Sequence, residues 1–178
     1  CLERIVFMQT FSNKNSWIPH LFIALVAALC LPVASHASDS VAFSKTKVAG
    51  VWANVVTVNL NDPDVTVTPA VARCGIGSAE SFRSMLRRTR PAAAINGTFF
   101  CTRSLKPTGD IVIDGHLLAE GNLGTAVAIA QGNQVKFLPS RLTDVYKWSD
   151  YDSVMVAGPT LLLRGEKIVA PRYEGFGS

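Results

Sequence analysis

The chain has 178 residues, 48% of them hydrophobic, a length and composition suited to a single domain with one buried core. Its net charge of +4 is dispersed, and the one cluster (Arg83, Arg87, Arg88, Arg90) has no accompanying aromatic stripe. That pattern argues against a nucleic-acid interface and for a solvated helix face.

At the amino end, Lys14 precedes the apolar run Leu21 to Leu31, and Ser35-His36-Ala37 offers small residues where a signal peptidase reads. Met8 is the expected start, residues 1–37 the upstream segment plus leader, and 38–178 the exported domain. The apolar run is shorter than the roughly 20 residues of a membrane span and is bracketed by Pro19 and Pro32, so the membrane is expected only as the route of export. Leu29 is too bulky to precede a lipidated Cys30.

From Gly50 to Leu60 the β-branched run Val51, Val55, Val56, Val58 predicts a strand, which Asn61-Asp62-Pro63-Asp64 interrupts. Val65 to Thr68 alternates as a half-buried strand does. Ser78 is the expected N-cap of a helix running to about residue 90, with Glu80 in its first turn and Pro91 as its stop. Its apolar positions are Ala79, Phe82, Met85 and Leu86. A short strand, Ala92 to Ile95, then delivers Asn96-Gly97-Thr98-Phe99-Phe100.

Three hairpins follow, at Asp114-Gly115, Gly132-Asn133 and Arg164-Gly165. The interval from Arg141 to Asp152 carries no clear period. One helix among many hairpins predicts an α+β domain with a β-rich mixed sheet.

Only Cys74 and Cys101 survive export. In an oxidising compartment two cysteines most simply pair, and closing that loop stabilises a fold by about 3.5 kcal/mol on the chain-entropy model. The alternative is a nucleophilic Cys101 with His116 as its base. No His-x-x-x-His, Cys-x-x-Cys, P-loop or nucleophile elbow occurs, so neither a metal nor a cofactor is expected.

Three glycine-bearing stretches remain as the candidate pocket: the Asn96 turn, Pro107-Thr108-Gly109-Asp110, and Ala157-Gly158-Pro159-Thr160. Glycines at strand ends let a ligand approach peptide N–H groups, and they equally serve plain tight turns. Asn96-Gly97-x-Phe99-Phe100, Pro107-x-Gly109 and Ala157-Gly158-Pro159, followed by Leu161-Leu162 and Gly165, resemble in order and spacing the phosphodiester glycosidase domain family. The likeness covers Val48 to Pro171.

The resemblance implies an exported hydrolase that releases a sugar, typically N-acetylglucosamine, from an α-linked sugar-1-phosphodiester. Bacterial members are associated with exopolysaccharide. It further implies Asn96 as a positioner and Asp110 as a base or orienter, with Gly97, Thr98, Gly109, Gly158 and Thr160 around the substrate. Members continue with an Arg-Thr-Ala-type segment and an Asp-Gly-Gly-Ser strand end, which do not occur here. The expectation is therefore an amino-terminal portion of such an enzyme with little or no turnover. The other reading is a secreted carbohydrate-binding or structural module.

Overall fold

The computed structural model describes residues 6–11, 40–121, 123–140, 148–174 and 176. The described chain is strand-rich with one α-helix, an α+β fold. In order come β1 (Val6–Phe11), β2 (Val41–Val48), β3 (Val51–Val58), β4 (Val65–Ala70), α1 (Phe82–Thr89) and β5 (Ala94–Asn96). Then follow β6 (Ile111–Ile113), β7 (His116–Ala119), β8 (Gly124–Ala130), β9 (Gln134–Ser140), β10 (Ser153–Val156), β11 (Leu162–Leu163) and β12 (Glu166–Lys167).

These strands form four sheets: β4-β1-β5, β7-β6-β10-β8-β9, and the separate ribbons β2-β3 and β11-β12. Every pairing among the described strands is antiparallel, so the expected mixed sheet is corrected. Within the hairpins β2-β3, β6-β7 and β11-β12 the reason is the connection, since a two-residue turn can only return a strand antiparallel to its partner. At Asp114-Gly115 both φ angles are positive, +50° and +74°, and Arg164-Gly165 repeats this with +53° and +83°. Such turns match the right-handed twist of the strands they join. The same geometry at Ala49-Gly50, +48° and +83°, closes a hairpin whose first strand, β2, sequence patterning passes over.

The five-stranded sheet holds the core. Val112, Val154, Val156, Ala126 and Ala128 are fully buried and pack with Trp148, while Ile111, Ala119 and Met155 pack with Val71 and Ile76. All four residues of β10 are buried, which suits the apolar run Val154-Met155-Val156 after Ser153. Burying each of its valines stabilises the fold by about 1.5–3 kcal/mol.

Helix α1 starts later than the spacing predicts. Ser81, not Ser78, is its N-cap, accepting from the Ser84 amide at 3.2 Å. Ser78 instead bonds back to the Gly75 carbonyl oxygen at 2.5 Å, which commits residues 78–80 to a loop. The helix ends at Arg90, left-handed at φ +48°, ahead of Pro91. Met85 packs beside Ala70, Phe82 and Ala94, seating α1 against the sheet that carries β5.

In that sheet β1 is central, pairing along β4 from Val6↔Ala70 to Phe11↔Val65 and along β5 from Val6↔Asn96 to Met8↔Ala94. This strand straddles the expected start at Met8, so its last four residues fall in the expected leader. The rest of that leader, 12–37, lies outside the described residues, as does 141–147 of the unassigned interval. Trp148–Asp150 forms a single 3-10 turn.

Candidate strand-end site

The signature turn is held by backbone. Thr108 donates its amide (2.9 Å) and its hydroxyl (3.1 Å) to the Phe99 carbonyl oxygen, and Phe100 bridges Pro107. The Cys101 amide then donates to the Lys106 carbonyl at 2.8 Å. Residues 99–101 and 106–108 are thus zipped, and the first two predicted stretches become one clasp. Asn96 stands exposed where β5 ends, and Gly97 is half-buried beside it. Thr98 is fully buried, which corrects its expected contact with substrate: no solvent path reaches its side chain.

The third stretch joins through close backbone packing. Val156 donates its amide to the Asp110 carbonyl oxygen at 2.9 Å, and Ala157 donates to Thr125 at 3.0 Å. A Cβ at Gly109 would stand 2.5 Å from the Val156 oxygen, and one at Gly124 only 1.7 Å from the Ala157 oxygen. Gly109 is therefore a packing glycine, buried against β10. Gly158 faces the Phe99 ring, which makes an edge contact with Phe176 at 5.7 Å.

A polar array crowns this junction. Thr160 and Thr125 hydroxyls lie 2.6 Å apart, and Thr125 donates to Glu174 Oε2 at 2.7 Å. The Thr160 amide donates to Glu174 at 2.9 Å. Since Thr125 gives its proton to the carboxylate, it accepts from Thr160. The three side chains form one directed chain ending on a half-buried carboxylate.

Of the two roles expected of Asp110, base or orienter, its geometry suits the orienter. It is 8% exposed, with Oδ1 accepting from the Gly121 amide at 2.7 Å and Oδ2 from Trp148 Nε1 at 2.5 Å. Both oxygens are engaged in the core, so Asp110 orients the 108–110 and 120–121 loops instead of meeting solvent. Charge-assisted bonds of this length are the strong kind.

A cavity of about 440 Å³ opens beside the clasp, lined among others by Ile76, Glu80, Met85, Phe100 and Pro107. Glu80 accepts from Arg88 at 2.8 Å, Ser84 at 2.9 Å and the Arg73 amide at 2.9 Å. These donors, Arg88 first, hold its carboxyl at about 2.

Cys74 and Cys101 are both free and exposed, so the expected bridge is not formed in this structure. Each thiol sits in its own solvent-facing turn, and no pairing of strands forces the two together. The Cys101 sulfur is engaged by Ser104 and by the Arg103 amide, while His116 lies on β7 opposite Ile113. Among the described residues no cluster of three or more His, Cys, Asp or Glu could hold a metal ion.

Sequence reasoning missed Thr125, Trp148, Glu174 and Phe176. Hydrogen-bond partners that give the first three their roles stand 14, 35, 38 and 49 positions away, and no local motif marks such pairings. No family model, curated protein or solved structure matches this chain.

Proposed function

We propose that this chain carries substrate-binding elements of an exported phosphodiester glycosidase-type hydrolase. Its substrate is an α-linked sugar-1-phosphodiester with an N-acetylglucosamine-like sugar, in bacterial surface or exopolysaccharide metabolism. The observation that carries the reading is convergence. Three short stretches, separated by up to about sixty residues, meet at one cluster of strand ends: Phe99 bonds Thr108, Asp110 bonds Val156, and Gly158 packs on Phe99.

The chemistry asked of such a site is modest. Departure from an anomeric carbon builds oxocarbenium character, but a phosphodiester is already a good leaving group and needs little protonation. Positioning then supplies much of the effect. Asn96, exposed at the end of β5, offers an amide to the sugar or phosphate. The Thr160–Thr125–Glu174 chain offers a fixed acceptor to a sugar hydroxyl. Asp110 acts from below as a positioning residue, holding the loops that carry Thr108 and Gly121.

A non-catalytic carbohydrate-binding module is the second reading, favoured by the burial of Asp110, which leaves it no access to a bond being broken. Calorimetric titration with the methyl phosphodiester of N-acetylglucosamine, with product release assayed in parallel, separates the two. Saturable binding weakened about tenfold by Asn96→Ala, with an unchanged urea midpoint, supports a site at this turn. Release of sugar in addition supports the hydrolase, binding alone fits both the module and a hydrolase element of little turnover, and absence of both removes this class of ligand.

A further inference from the structure

The β2-β3 ribbon stands apart from the core. Among the described residues neither strand pairs with any other, and none of its side chains joins a core cluster. Its root is fastened: the Asn59 amide donates to the Ser40 carbonyl oxygen at 2.8 Å, and the Ser40 hydroxyl donates to Asp62. From there the ribbon runs out to the Ala49-Gly50 turn with large apolar side chains in solvent. Phe43 and Val51 are each 70% exposed, Trp52 61% and Val48 59%. A two-stranded hairpin with no third strand or helix against it is marginal in water. Exposed apolar surface gathered in this way marks a docking face.

Charge and position identify what docks there. Residues 40–58 contain no Asp or Glu, and their charged side chains are Lys45 and Lys47. Lys47 stands opposite Trp52 and Lys45 opposite Asn54, and cross-strand pairs share a face. Both ammonium groups lie over the Trp52 ring, at 5.3 and 5.7 Å from its centre. The same face continues toward the root with Phe43 opposite Val56. The tip itself, Val48-Ala49-Gly50-Val51-Trp52, carries no charge. At about 3.3 Å per residue, Lys47 and Lys45 stand about 7 and 13 Å behind Ala49.

An apolar tip backed by a cationic collar matches the layers of an anionic bilayer, with acyl chains below and phosphates above. Lysine stems are long enough for the ammonium to stay among headgroups while the ring beside it is buried. A second copy suits this face poorly, because stacking it on itself sets lysines against lysines.

We propose that the β2-β3 tip docks the folded domain on a phospholipid surface bearing anionic headgroups of the phosphatidylglycerol kind. Val48, Val51 and Trp52 enter the interfacial layer to a depth of about 5–10 Å, which brings Lys47 level with the phosphates. The unpaired edge groups of β2 and β3 stay at headgroup depth, where water satisfies them, since open strand edges are not tolerated in hydrocarbon. This contact belongs to the folded domain and is separate from the route of export.

The test is co-sedimentation of the full chain with phosphatidylcholine vesicles, with and without phosphatidylglycerol, alongside tryptophan emission. Wild type is expected to prefer the anionic vesicles and to come off as salt rises. Each lysine contributes about fivefold at such a surface, so the double variant Lys45→Gln/Lys47→Gln is expected to bind about 25-fold more weakly there. Trp52→Ala is expected to lose about tenfold on the same vesicles, the effect of about 60 Å² of apolar surface. Part of the lipid-induced blue shift is expected to vanish in Trp52→Phe. The Leu21 to Leu31 run is present in every variant, so differences among them belong to the ribbon. Their urea midpoints are expected to match wild type, because the tip touches no core cluster. Equal binding by wild type and the variants, or no preference for phosphatidylglycerol, overturns the proposal. A lipid-free dimer that Trp52→Ala dissociates gives the tip to a second copy and overturns it too.

Discussion

Replacing Asp110 by Asn tests whether this carboxylate is a structural anchor. Its two oxygens accept bonds of 2.7 and 2.5 Å inside the core. A carboxamide keeps one acceptor and turns its NH₂ toward the other donor, so one charge-assisted bond is lost and two donors face each other. A hydrogen bond to a charged group contributes about 1.5–3 kcal/mol, and an unsatisfied buried donor adds to the loss. We expect Asp110→Asn to destabilise by about 2–4 kcal/mol, lowering Tm by about 5–15 °C for a chain of this size. Trp148→Phe removes the other partner and is expected to cost a similar amount, because it strands Oδ2.

The double variant is then expected to be less destabilised than the sum, with a coupling of about 1.5–3 kcal/mol. Urea denaturation followed by far-UV circular dichroism measures all four corners of this cycle. If Asp110→Asn stays within about 0.5 kcal/mol of wild type and the coupling is near zero, Asp110 is no anchor and the reasoning fails.

Gly124→Ala introduces a Cβ 1.7 Å from the Ala157 oxygen at φ +111°, combining overpacking with backbone strain. A loss of about 3–5 kcal/mol is expected in the same denaturation assay, whereas Gly132→Ala, with open space around it, should cost much less. Glu80 is held at about 2 against an ordinary 4.5, so its contribution is present above pH 4.5 and fades as pH falls toward 2. Glu80→Gln should flatten that part of the urea-midpoint profile, and an unchanged profile would show that the Arg88 pair contributes nothing. Thr160→Val keeps the amide bond to Glu174 but breaks the hydroxyl chain; we expect sugar-phosphodiester binding to weaken several-fold with a stability change under about 1 kcal/mol.

What the sequence determined by itself is local. Asp114-Gly115 and Arg164-Gly165 set two hairpins because Asp114 and the two glycines tolerate positive φ, and turn geometry needs no distant partner. Pro91 stopped the helix. Motif order also marked out three stretches that meet in space. The start of α1 escaped because two serines three residues apart can each cap, and loop contacts of Gly75 decided between them.

Tertiary structure alone decided the roles within the site. Thr98 and Asp110 read as polar candidates, yet burial seals one and two core donors occupy the other. Gly109 read as a ligand-facing glycine, yet it serves the approach of β10. Glu174 and Thr125 carried no signal, since a carboxylate gains a role from partners 14 and 49 positions away. Short-range torsional preferences are written in neighbouring residues. Burial and hydrogen-bond partnership depend on which distant backbones the packed sheet brings together.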